Sequence, residues 1–170
     1  MPKPRASPQS RRYNCMKPLA ENLQIRQMTA ADVGRVLEIA ASLPESPHWP
    51  ESAYLDALNP ESTPRRIGLV AAGLEEVEGF AVASLLPPHA ELESIAVAAG
   101  SQRRGLGRML FDALLRELRT KGVLEVTLEV RASNHAGLAF YRRAGFSKTG
   151  TRPAYYADPV EDAVLMRLGL

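Results

Sequence analysis

Cysteine is almost missing from this chain: Cys15 is the only one in 170 residues. A single thiol closes no intrachain disulfide and builds no cysteine-based metal site, which excludes disulfide-stapled miniature folds and zinc ribbons. The histidines, His48, His89 and His135, fall at no metal-ligand spacing, so no metal is expected. No apolar run approaches the roughly 20 residues that a membrane helix needs. The first residues are basic but lack the apolar stretch of a secretory signal. No internal repeat is visible. These absences lead to the expectation of a soluble cytoplasmic protein without a membrane partner.

What is present is enough for one core. Hydrophobic residues make up 45% of the chain, which suits one well-buried domain and is short for two. The net charge of +2 conceals a split. Residues 1–20 carry Lys3, Arg5, Arg11, Arg12 and Lys17 and no acid, which leaves −3 for residues 21–170. The same segment holds Pro2, Pro4, Pro8 and Pro18 and is expected to be a disordered basic tail ahead of a domain at 21–170. A solvated extension, or a start upstream of a true Met16, is favoured over a nucleic-acid-binding arm.

Periodicity predicts strands alternating with helices. Leu23 to Arg26 is the first predicted strand, and Thr29 with Asp32 has the spacing of a capping box before a helix carrying Val33, Val36, Leu37 and Ala40. Pro44, Pro47 and Pro50 interrupt it, and a second helix runs from near Pro50 to Asn59-Pro60. Ile67 to Ala72 and Gly79 to Leu86 predict a hairpin, followed by a strand over Glu91 to Val97. Leu106, Met109, Leu110, Ala113, Leu114 and Leu118 lie on one face of a helix to Lys121, ended by Gly122. Strand 123–130 alternates, with Leu124, Val126, Leu128 and Val130 on one face and Glu125, Thr127 and Glu129 on the other. Ser133 or Asn134 caps a helix to Ala144, and two last strands flank Tyr155 and Tyr156. The alternation implies an α/β sheet.

The segment Gln102-Arg103-Arg104-Gly105-Leu106-Gly107 sits between a predicted strand and the longest predicted helix. A helix start offers unpaired amides and the positive end of a dipole, and glycines let a phosphate approach. Arg108 and Met109 follow Gly107, where a Walker A loop needs Lys-Ser/Thr. Leu110 occupies the place of the third small residue of a dinucleotide fingerprint. What remains, Q/R-x-x-G-x-G/A, resembles motif A of the GNAT superfamily of N-acetyltransferases. Leu128 to Asn134, Ala139 to Phe146, Arg152-Pro153-Ala154-Tyr155-Tyr156 and Glu161 to Met166 follow in the order and spacing of its bacterial ribosomal-protein alanine N-acetyltransferases, the RimI-like branch. The likeness spans Ile25 to Leu168 and is dense from Gly79 onward.

The resemblance implies a single-domain α/β fold. Its sheet is mixed and mostly antiparallel, with splayed central strands flanked by helices. It implies acetyl-CoA as cosubstrate, its pyrophosphate on the backbone of Gln102, Arg103, Arg104, Gly105, Leu106, Gly107 and Arg108. Its pantetheine arm would pair with Ile95, Ala96 and Val97 and meet Asn134 and Tyr141. An amide near Val97 would face the thioester oxygen. The resemblance points to Glu129 as general base and Tyr141 as general acid, with Glu93 as rival base. A terminal amine with a pKa of about 8 asks little of a base, whereas a lysine near 10.4 asks much more. A phenol near pKa 10 can protonate a thiolate of about 8.5 slightly uphill. Trp49, Glu93, Tyr155 and Tyr156 are the expected acceptor-binding residues. Adjacent strand residues point oppositely, so only one of the two tyrosines is expected to touch the acceptor. Pro50 after Trp49, the short Ala157 to Val160 loop, and Ala98-Ala99-Gly100 in place of an acid-proline pair depart from the family pattern.

The expected activity is acetylation of a protein N-terminus, a ribosomal protein by family resemblance, by a monomer or weak dimer that binds no nucleic acid directly. The alternatives are acetylation of a small amine, such as a polyamine, amino acid or drug, and a non-catalytic acyl-CoA-binding regulator. Retention of both Glu129 and Tyr141 speaks against the last.

Overall fold

The computed structural model of the chain describes residues 23–74 and 76–170. The basic tail expected at 1–20 lies outside them. The chain order is β1 (Gln24–Gln27), α1 (Val33–Ala41), α2 (Glu51–Leu58), β2 (Arg65–Ala72), β3 (Val77–Leu86) and β4 (His89–Val97). It continues with α3 (Leu106–Thr120), β5 (Glu125–Arg131), α4 (His135–Arg143), β6 (Ser147–Ala157) and β7 (Val160–Gly169). Among the described residues seven strands form one sheet, in the order β1-β2-β3-β4-β5-β7-β6.

Every neighbouring pair is antiparallel except β4 and β5. A parallel pair needs a crossover, and α3 supplies it. Leu106, Leu110, Leu114 and Leu118 are buried as their spacing predicts, together with Phe111 and Leu115. Each such side chain stabilises the fold by about 1.5–3 kcal/mol on burial. Met109 is exposed, so the apolar stripe is rotated toward Phe111, which packs against Phe140 and Phe146 in the α4 region. Gly122 follows the helix at φ 77°, a left-handed position that suits a residue without Cβ.

Two cores lie on opposite faces of the sheet. One joins α3 and α4 to Leu69, Ala81, Leu92, Val126, Leu128 and Val130. The other joins α1 and α2 to Val70, Phe80, Val82 and Ala96. Thr29 and Asp32 form the predicted capping box, on a single 3-10 turn that leads into α1. Leu124 is exposed and precedes β5, so the alternation begins two residues later than its sequence pattern suggests. Tyr155 and Tyr156 lie within β6 rather than between the last two strands.

Candidate active site

The glycine-arginine segment forms a tight turn between β4 and α3. Arg103 at φ 59° and Gly105 at φ 84° are both left-handed, and Gly105 occupies the cap position of α3. The first intrahelical bond there is Met109 N–H to Gly105 O at 3.0 Å, so the preceding first-turn amides have no helical acceptor. A glycine cap brings no side chain to them. The surrounding side chains have protein partners. Gln102 Nε2 donates to Val97 O at 3.0 Å, Arg108 Nε reaches Asp112 at 2.9 Å, and Arg104 Nη1 is 3.7 Å from Glu78 Oε2. What this helix start offers a ligand is therefore mostly backbone N–H, with Arg104 and Arg108 engaged by Glu78 and Asp112.

Beside this turn the sheet opens. β4 and β5 share only the rungs from His89↔Glu125 to Glu91↔Thr127, after which the two strands no longer pair. On its other side β4 stays bonded to β3 through Gly79↔Val97. The stretch holding Ile95, Ala96 and Val97 thus has one strand edge directed at the opening. A bulge between Leu92 and Ser94 places Glu93 opposite no single partner residue.

Charged residues gather on the sheet face opposite α3. Arg66, Ser84, Glu91 and Thr127 form one row across four strands, because each pairs in register with the next. Glu129 follows Thr127 on the same face, while Val126, Leu128 and Val130 enter the core. Glu93 is gripped by the Arg66 fork, with Nε to Oε2 at 2.7 Å and Nη2 to Oε1 at 3.1 Å. Glu129 Oε1 receives Arg152 Nη1 at 2.8 Å. A hydrogen bond to Glu129 pushes the Tyr155 phenol pKa up. Burial, then the charges of Glu129 and Glu93, push the Glu91 carboxyl up.

The two tyrosines do not point oppositely. Ala154 at φ 48° and a register break between Arg152 and Tyr156 interrupt the pleat. The rings pack edge to face at 5.2 Å, and both phenols feel the charge of Glu129. Arg131 lies 4.1 Å over Tyr156 and bonds Glu161, which also accepts from Ser133 N–H. That bond pulls the Glu161 carboxyl down and ties β7 to the start of α4. Asn134 caps α4 by accepting from Gly137 N–H at 2.7 Å.

Tyr141 packs between Phe140 and Phe146. Burial first, then Tyr156, pushes its phenol far up, so it stays protonated throughout the neutral range. Trp49 stacks on the buried Tyr54 at 5.3 Å and belongs to the α1–α2 core rather than to the Glu129 cluster. Glu91 and Arg152 are the site residues that the sequence does not single out. Arg152 stands in a quoted motif, but only the fold brings it to Glu129. Among the described residues no group of three or more metal-binding side chains occurs, and no helix is long and apolar enough to cross a membrane.

Residues 35–146 match the model of the acetyltransferase (GNAT) family. The ribosomal protein bS18-alanine N-acetyltransferase of Salmonella typhimurium is 42% identical over 106 residues, covering 61% of this chain and 72% of that protein. The N-alpha-acetyltransferase RimI of Mycobacterium tuberculosis is 37% identical over 153 residues, covering 86% and 92%. The crystal structure of the ribosomal-protein-S18-alanine N-acetyltransferase from Escherichia coli matches with a TM-score of 0.77 at 32% identity, covering 87% of this chain and 94% of that one.

Proposed function

The chain belongs to the acetyltransferase (GNAT) family, and from that premise we propose that it acetylates the N-terminal α-amine of a protein, using acetyl-CoA. Relatives named for acetylating ribosomal protein bS18 at alanine support a ribosomal protein with N-terminal alanine as the acceptor. The observation that carries the proposal is the opening between β4 and β5. It joins an amide-rich helix start at one end to Glu129 and the tyrosines on β5 and β6.

In this reading the backbone of residues 102–108 holds the pyrophosphate, and the free edge at Ile95 to Val97 holds the pantetheine amides. An amide near Val97 stabilises the oxyanion. Asn134 combines its cap with a contact to the coenzyme arm. The amine nitrogen attacks the thioester carbon, the carbon–sulfur bond breaks, and the sulfur takes a proton. Glu129 accepts the proton lost by the amine, and Tyr141 gives one to the thiolate; burial keeps this phenol protonated but also makes it a weaker acid than a free tyrosine, so its transfer is more uphill. A terminal amine of pKa about 8 is partly neutral near pH 7, so one carboxylate is enough. Glu93 is the weaker candidate because both of its oxygens are held by the Arg66 fork. Glu129 is held instead by Arg152, a side chain 52% exposed, and by the Tyr155 phenol at the edge of the sheet. The tyrosines Tyr155 and Tyr156 wall the acceptor site, and Trp49, which packs on Tyr54 in the α1–α2 core, stands apart from it.

A panel of peptides starting with Ala, Ser, Met or Gly, set against spermidine and free lysine, tests the proposal by coenzyme A release. Turnover of alanine-initial peptides is expected. Turnover of the small amines alone would overturn the acceptor assignment.

A further inference from the structure

We propose that Asp162 is a positioning residue for the acceptor wall: its carboxylate holds Ala154 in the left-handed turn that brings Tyr155 and Tyr156 together beside Glu129. This rests on the acetyltransferase reading and adds a residue that stands on the other face of the sheet.

The backbone of β6 poses the problem. Arg152 pairs with Ala163 and Tyr156 with Glu161, so Pro153, Ala154 and Tyr155 together stand opposite Asp162 alone. The surplus residues must leave the pleat, and Pro153 has no N–H to give the ladder. Ala154 takes up the excess by turning left-handed at φ 48°. An alanine is poorly suited to that turn. Its Cβ crowds its own backbone, and it lacks the polar side chain with which Asn or Asp settles there. Such a residue persists only where its surroundings fix it.

Asp162 supplies the fixing. Ala154 N–H donates to Asp162 Oδ1 at 2.9 Å, a bond to a carboxylate and so among the stronger kind. The Asp162 backbone is tied from the other side, where Ala132 N–H donates to its carbonyl at 3.1 Å. Its neighbour Glu161 binds Arg131 and Ser133 N–H. The kink in β6 is thereby referred, through β7, to the strand that carries Glu129. Asp162 shares the face of Val164 and Met166, which enter the α3 core, whereas Leu165 pairs with Glu129 and Ala163 with Arg131. Its effect on the acceptor side passes through the bulge.

That effect is the placing of two rings. An unbroken pleat would send Tyr155 and Tyr156 to opposite faces. With the bulge in place they meet at 5.2 Å, and Tyr155 bonds Glu129 with Arg152 4.9 Å from its ring. Without the Asp162 bond, Ala154 returns to extended backbone and Tyr155 leaves Glu129.

Two measurements test this, steady-state kinetics with an alanine-initial peptide and an NMR titration of labelled tyrosines without substrate. In Asp162→Ala the peptide KM is expected to rise about tenfold, the size of one lost charge-assisted bond, with the acetyl-CoA KM unchanged. The Tyr155 phenol, pushed up by Glu129 in the wild type, is expected to fall toward the ordinary tyrosine value. Asp162→Asn keeps an acceptor oxygen, is expected to recover most of both, and covers the case in which Asp162→Ala does not fold. Ala154→Asn placed in Asp162→Ala is expected to restore both as well, because Asn favours the left-handed turn without outside help. A purely structural role for Asp162 would not be rescued from position 154. An unmoved Tyr155 titration in Asp162→Ala, or losses that Ala154→Asn leaves untouched, would overturn the role of Asp162. Wild-type turnover of small amines alone would instead overturn the protein-acceptor reading, and the titration would still decide whether Asp162 places Tyr155.

Discussion

Arg152 Nη1 meets Glu129 Oε1 at 2.8 Å, although β7 lies between their strands. In register, Ala163 separates Arg152 from Arg131, and Leu165 pairs with Glu129. A methyl side chain at Ala163 leaves room for the guanidinium to lean diagonally across the ladder. Arg152 also covers the Tyr155 ring at 4.9 Å. The orientation of Glu129 is thus set from the edge of the sheet as well as from its own strand.

This coupling has a kinetic signature. Glu129→Gln is expected to lower kcat by about 10²- to 10⁴-fold, the usual contribution of a general base, without changing acetyl-CoA affinity. Arg152→Ala is expected to cost about tenfold in kcat/KM and to cost nothing further once Glu129 is Gln. A four-protein cycle of steady-state rates checks both. Additive losses would show that Arg152 acts on something other than Glu129.

Tyr141 calls for a different measurement. Burial holds its phenol well above the ordinary tyrosine range, so it carries its proton at every pH used for assay. Tyr141→Phe is expected to lower kcat about 10²-fold, within the range for a lost general acid, with little change in acetyl-CoA KM. In the wild type, no loss of rate on the alkaline side is expected to come from Tyr141 ionising below pH 10. A Phe variant with an unaltered rate would return Tyr141 to the aromatic core with Phe140 and Phe146.

The anion seat can be tested without turnover. Gly105 is left-handed at φ 84° and nothing lies within 4 Å of where its Cβ would stand, so a side chain there fits in space but strains the backbone. Arg103→Glu with Gly105→Glu places two negative charges at the start of α3, where the dipole and amides favour an anion. Calorimetry is expected to find acetyl-CoA binding abolished while circular dichroism reports an intact fold. Undiminished binding would place the pyrophosphate elsewhere.

Local rules made most of the fold legible. The α3 stripe, the β5 alternation, the capping box and the glycine helix ends each depend on residues within a few positions of one another. The failures share one cause. Opposite-facing tyrosines follow from an unbroken pleat, and Ala154 breaks the pleat with a conformation few alanines adopt. Arg152 and Glu91 acquire meaning only from register, Arg152 by reaching over Ala163 and Glu91 by standing on the final β4–β5 rung. Sequence periodicity tells which face a residue takes and is silent about where two parallel strands stop pairing.

The same face depends on how α1 is seated. Asp32 Oδ2 accepts from Thr29 N–H and from Thr29 Oγ1, both at 2.8 Å, while the Arg26 fork grips the carboxylate at 2.7 and 2.8 Å. The Arg26 hydrogen bonds hold the Asp32 carboxyl down at about 2. An aspartate in the unfolded chain titrates near 3.9, so between these values the unfolded chain binds more protons than the folded one. The stability contributed by the pair is therefore complete above about pH 4 and lost as pH falls through about 2. Asp32→Asn keeps an acceptor for Thr29 but removes the charge that Arg26 grips. Denaturant unfolding at pH 7 is expected to show a loss of about 1–2 kcal/mol, in line with a cap and a charged hydrogen bond. The gap between variant and wild type is expected to narrow steadily toward pH 2. A gap that stays constant from pH 7 to pH 2 would assign the loss to side-chain shape and leave the Arg26–Asp32 pair without net stabilising effect.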